Sequence, residues 1–134
     1  MSWPQVSGCP RRLGHTFAVG IFAVTGAGSG MGNAVVAKLR ASGHTVITVD
    51  ITNAEVIADL SSPAGRRGAA ADVLAACSGK LDGAVMAAGL GPTKGAERMI
   101  TGVNYFGVVD LLQAWRPALA CAERAKVVVF ASNS

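Results

Sequence analysis

The sequence predicts an α/β protein built on a doubly wound parallel sheet that stops after its fifth strand. Apolar, β-branched runs alternate with segments of helical period along most of the chain. A glycine-rich stretch, Thr25-Gly26-Ala27-Gly28-Ser29-Gly30-Met31-Gly32, stands between the first apolar run and the first helical segment. Polar residues with chemical potential fall where the apolar runs end: Thr25, Asp50, Asp59 and Ser132. Open parallel sheets bind ligands outside those strand ends.

Residues 19–25 read as the first strand. Residues 31–41 follow as a helix, with Met31, Val35, Val36 and Leu39 at helical spacing and Gly43 as its stop. The run Thr45-Val46-Ile47-Thr48-Val49 is continuous rather than alternating, so it predicts a strand buried on both faces. Residues 56–58 are a short third strand ending at Asp59. Ser62-Pro63 then reads as an N-cap with proline in the first turn. That helix reaches about Cys77, with Ala69, Ala70, Val73 and Leu74 inward, and Ser78-Gly79 stops it. Residues 83–87 form a fourth strand, and Gly89, Gly91 and Pro92 a loop. One long helix is expected between 99 and 120, with Val108, Leu111, Leu112 and Trp115 on one face. Residues 126–130 are the fifth strand. Strand–helix alternation implies right-handed crossovers.

With 134 residues, the chain is one domain at most. It is 51% hydrophobic and 15% charged, so it can bury a core. The net charge of +4 is mild and partly due to Arg11 and Arg12, and basic residues are not interleaved with aromatics. A nucleic-acid surface is therefore not expected. No apolar run reaches membrane-spanning length. The cysteines, Cys9, Cys77 and Cys121, are odd in number and lack metal-ligand spacing. They read as free thiols of a cytoplasmic protein with no metal site. His44 reads as a surface residue, and Arg66-Arg67 as an exposed helix face. Residues 1–16 read as a loose extension or the product of a start assigned too far upstream. They lead into a glycine turn and not a cleavage site, so a signal peptide is a poor reading. Residues 17–134 read as the folded domain.

The glycine stretch sorts the candidate phosphate cradles. No Lys follows Gly32, so a P-loop is excluded. G-x-G-x-x-G also fails, because its last position falls on Met31 or Asn33. What fits is T-G-x-x-x-G-x-G on Thr25, Gly26, Gly30 and Gly32. In this pattern the chain resembles the short-chain dehydrogenases/reductases, which have a Rossmann-type sheet. A glycine-rich surface turn with no ligand is the plainer alternative.

Residues downstream extend the resemblance over 19–134. Asp59-Leu60, Ala88-Gly89-Leu90-Gly91-Pro92 and Val103-Asn104-Tyr105-Phe106-Gly107 are similar to the bacterial 3α-hydroxysteroid dehydrogenase/carbonyl reductase branch of that family. The resemblance implies NAD as cofactor, a small-molecule secondary alcohol or ketone as substrate, and association into a homo-oligomer through the long helix. Its cofactor-binding positions here are Thr25, Gly26, Ser29, Gly30, Met31, Gly32, Asp50, Asp59, Leu60, Ala87, Ala88 and Gly89. Asp50 lies roughly 20 residues beyond the turn, where a carboxylate accepts from a ribose hydroxyl and repels a 2′-phosphate. Asp59 reads equally as an adenine-side acceptor or an exposed cap. Ala87 stands where the family has Asn. Asn104 implies support of a proton relay, and Ser132 implies orientation of the substrate oxygen.

The resemblance breaks at the family's Tyr-x-x-x-Lys pair. Tyr105 is the only tyrosine, and Val109 stands four positions on. The chain is thus expected to be the cofactor-binding half of an oxidoreductase, inactive alone, with strand five left as an open edge. An incomplete sequence, a degraded gene and a subunit completed by another chain all remain open. So does a non-catalytic dinucleotide-binding module. A methyltransferase shares the sheet and glycine turn but leaves Asn104 and Ser132 unexplained.

Overall fold

The computed structural model describes residues 8–9 and 19–131. Its elements are β1 (Ile21–Thr25), α1 (Gly30–Ala41), β2 (Thr45–Asp50), β3 (Val56–Ile57), α2 (Pro63–Ala76), β4 (Gly83–Met86), α3 (Glu97–Thr101), a π-helical turn (Gly102–Phe106), α4 (Gly107–Ala120) and β5 (Lys126–Val129). The strands make one sheet in the order β3-β2-β1-β4-β5, parallel at every pairing. The chain winds outward from β1 to β3, then crosses back to β4 on the other side. The strand order therefore reverses between β1 and β4, and such a switch point opens a crevice at the carboxyl ends.

Local chemistry explains the helix ends. Ser62 Oγ accepts the Gly65 N–H at 3.0 Å, with proline in the first turn of α2. Gly43 takes φ +87 just beyond α1, which a side chain would strain. The four central residues of β2, Val46 to Val49, are buried, as a continuous β-branched run predicts.

Two cores sandwich the sheet. The larger is built with α2 and α4 and includes Val73, Leu81, Leu111 and Trp115, each fully buried. Trp115 donates its indole N–H to the Ala70 carbonyl at 3.3 Å, tying α4 to α2. On the opposite face α1 closes a smaller cluster of Val24, Ala27, Val36, Val46 and Val85. Among the described residues β5 pairs only with β4, and Val127, Val128 and Val129 are all exposed.

The structure corrects several expectations. The helix over 99–120 starts at Glu97 and carries a π turn at Gly102–Phe106. Such turns are rare and widen a helix by one residue. Glycines bound this one, and both pack on the loop before α2: a Cβ at Gly102 would lie 2.6 Å from the Ser61 carbonyl oxygen. Arg66 is buried rather than exposed, whereas Arg67 is exposed. His44 is half-buried; its Nδ1 accepts the Gly20 N–H at 2.9 Å and its ring meets Phe22 edge-on. Cys9 and Cys121 form a disulfide, leaving Cys77 free and buried. The partners stand 112 positions apart, a proximity that only the folded chain creates. No described helix is long and apolar enough to cross a membrane, and no metal-like cluster occurs among the described residues.

Candidate functional site

A cleft of about 430 Å³ opens at the switch point. The turn after β1 forms its floor, contributing Gly26, Ser29, Gly30, Met31 and Gly32. Asp50 and Ile51, at the end of β2, close one side. Ala58, Asp59, Leu60 and Ser61 follow along the wall beyond β3. Ala87, Ala88, Gly89 and Leu90, after β4, form the far side, with Met99 and Val103 above them. Segments distant in sequence thus converge because parallel strands present all their carboxyl ends on one side.

The floor is made of main chain. Gly26 has φ +68, and a Cβ there would lie 2.6 Å from the Ala88 nitrogen. A Cβ at Gly32 would strike the Gly26 carbonyl. Gly30, also at positive φ (+58), differs: a Cβ there meets nothing within 4 Å, so the position faces open space. Helix α1 begins at Gly30 with no side-chain cap from Ser29 and no acidic residue in its first turn. Its first N–H groups and dipole therefore suit an anion resting on the glycines.

Asp50 is held at both oxygens. Oδ2 accepts the Gly28 N–H at 2.7 Å, and Oδ1 accepts the Ile51 N–H at 2.6 Å. Gly28 was not singled out from the sequence; a Cβ there would lie 2.9 Å from Asp50 Oδ2. The missing side chain lets the turn lie against the carboxylate and set its place at the cleft. A carboxylate so fixed can still accept from a hydroxyl through remaining lone pairs.

Asp59 Oδ1 accepts both the Ser61 hydroxyl, at 2.6 Å, and the Ser61 N–H, at 3.0 Å. These bonds, the hydroxyl's first, hold its carboxyl below the ordinary value of 3.8. Ser61→Ala is expected to raise the Asp59 pKa toward that value in an NMR titration. Alanine removes the hydroxyl bond, the larger of the two that favour the charged form. A carboxyl depressed by folding stabilises the fold above its unfolded pKa, and that contribution fades as pH falls through the folded pKa.

The remaining expected site residues divide. Thr25 is buried and does not line the cleft; its Oγ1 accepts the Ala88 N–H at 3.1 Å, fixing the loop after β4. Asn104 stands on the π turn and grips that same loop. Its Oδ1 accepts the Leu90 N–H at 2.8 Å, and its Nδ2 donates to the Leu90 carbonyl at 3.0 Å. Ser132 lies outside the described residues. Reasoning from the sequence missed Ser61 among the site residues, and also Ile51, Ala58, Leu90, Met99 and Val103, which add apolar surface to the cleft. Ile51 directly follows Asp50 and could have been found from that adjacency.

No protein-family profile matches the chain. A curated protein, the 3-alpha-hydroxysteroid dehydrogenase/carbonyl reductase of Comamonas testosteroni, is 45% identical over 112 residues, 84% of this chain and 44% of the relative. The chain thus spans less than half the length of that relative. A crystal structure of the 3-alpha-hydroxysteroid dehydrogenase from Pseudomonas sp. B-0831, complexed with NADH, superposes with a TM-score of 0.79 at 43% identity, covering 81% of this chain and 43% of that one. A metagenomic short-chain oxidoreductase in complex with NADP gives a TM-score of 0.72 at 28% identity, covering 86% and 63% of the two chains. In sequence and in fold, this chain is related to the short-chain dehydrogenases/reductases.

Proposed function

We propose that these residues form the NAD-binding part of a short-chain oxidoreductase that interconverts a secondary alcohol and a ketone. The observation that carries the reading is the convergence on one cleft of the glycine floor, Asp50 and the Asp59–Ser61 wall. In this reading the pyrophosphate rests on Gly30 and the start of α1, and Asp50 accepts from the adenosine ribose. Asp59 and Leu60 flank the adenine. Ala87, Ala88 and Gly89 pass behind the nicotinamide end, and Asn104 holds that side through Leu90. Ser132 orients the substrate oxygen. The hydride chemistry belongs to the dinucleotide when bound; this chain's residues bind and orient it. The relatives' names suggest a 3α-hydroxysteroid or related carbonyl compound as substrate.

NAD is preferred over NADP because a carboxylate fixed at Asp50 repels a 2′-phosphate, and Ser29 offers no compensating charge. By calorimetry NADH is expected to bind about 100-fold more tightly than NADPH, with Asp50→Asn narrowing the gap to about tenfold. Equal affinities in the unaltered chain would remove the assignment.

The 134 residues contain no Tyr-x-x-x-Lys pair, since Val109 stands four positions after Tyr105, the only tyrosine. A second reading, a dinucleotide-binding module without catalysis, fits the same cleft, since the residues that line it are placed to bind and orient a ligand. Two measurements separate the possibilities: NADH affinity, and NADH formation from a 3α-hydroxysteroid by the native protein. Binding with turnover supports the oxidoreductase. Binding without turnover leaves the module, and no binding sinks both.

A further inference from the structure

We propose that Arg66 is a positioning residue, which locks the adenine-side wall of the cleft to the π turn that carries Asn104. The proposal rests on the cofactor reading for what fills the cleft. Arg66 lies on α2 and is 7% exposed, a rare place for a guanidinium. Its Nε donates to Asp110 Oδ2 on α4 at 2.7 Å. Its Nη1 donates to the Leu60 carbonyl at 3.0 Å and reaches the Gly102 carbonyl at 3.5 Å. The Phe106 ring covers the guanidinium, 5.5 Å from Cζ to the ring centroid. One planar group thus ties together α2, α4, the cleft wall and both ends of the π turn.

The wall has little slack there. A Cβ at Gly65 would strike the Asp59 carbonyl, and one at Gly102 would press the Ser61 carbonyl. Backbone therefore presses on the loop from both sides, and Arg66 supplies the directional bond that sets the Leu60 carbonyl. The π turn in turn holds the opposite wall, because Asn104 bonds both backbone atoms of Leu90. Arg66 sits at the junction of the two walls and is itself no part of the cleft lining.

A purely structural α2–α4 ion pair would require only a positive charge opposite Asp110. Lysine supplies that charge but not the fork that reaches Asp110 and Leu60 together. Arg66→Lys and Asp110→Asn therefore separate the two roles. Calorimetric titration with AMP and with NADH is expected to show Arg66→Lys weakening both about tenfold. Asp110→Asn leaves the Nη1 bonds intact and is expected to stay within about twofold of wild type. Wild-type affinity in Arg66→Lys, or equal losses in both variants, overturns the proposal. If the wild-type chain binds neither AMP nor NADH, the cofactor reading falls and takes this proposal with it. A measurement on the unaltered chain guards against a variant that does not fold. Amide hydrogen exchange is expected to give residues 59–62 and 102–106 one shared opening rate, because one guanidinium clamps both. Independent opening of the two segments overturns the coupling.

Discussion

Trp115→Ala is expected to destabilise the domain by about 4 kcal/mol. Trp115 is fully buried at the centre of the larger core, where α4 crosses α2. The substitution empties the space of an indole and leaves the Ala70 carbonyl without the N–H it accepts. Both faces of the loss fall on the interface that supports the sheet beneath the cleft. A domain of this size has a net stability of about 5–15 kcal/mol, so the change removes a large share of it. Thermal unfolding is the check, with a fall in Tm of roughly 10–15 °C expected. A fall of less than about 3 °C would mean that the two helices do not depend on this contact.

Gly30→Val is expected to weaken NADH binding about 100-fold while leaving the core intact. Two effects act at this position, and a second variant separates them. Any side chain pays for φ +58, and a β-branched one pays most. Gly30→Ala incurs only that cost, since its Cβ meets nothing within 4 Å. Valine adds two methyl groups in the open space at the start of α1, where the proposed pyrophosphate rests. Alanine is therefore expected to bind within about tenfold of wild type, valine far more weakly. Near-ultraviolet circular dichroism from buried Trp115 should match wild type in both. Equal affinity in the valine variant would place the ligand elsewhere.

What could be read in advance was local. The Ser62-Pro63 start, the Gly43 stop and the uninterrupted β2 run each owe their conformation to neighbours in sequence, and each was found to within a residue or two. Residues singled out at the ends of β1, β2, β3 and β4 line one cleft because a parallel sheet gathers its strand ends. The failures have the opposite character. Arg66 is buried because Asp110 lies 44 positions away, and nothing in Arg66-Arg67 distinguishes the two. The Cys9–Cys121 pairing depends on tertiary placement as well. Thr25 fitted the motif, yet its hydroxyl serves the loop after β4 and not the cleft. The π turn escaped because it packs through Gly102 against Ser61, a contact made across the fold.

The glycine floor has a consequence for how such a protein tolerates change. Three positions there, Gly26, Gly28 and Gly32, are fixed by atoms they lack, since a single methyl group on any of them meets backbone or a carboxylate. A survey that trims side chains to find important residues would pass over these positions, which have nothing to trim. Their sensitivity appears only when carbon is added. Drift in this segment is therefore one-sided: each of the three can change only by growing, and growth meets the β4 loop, the Asp50 carboxylate or the turn itself.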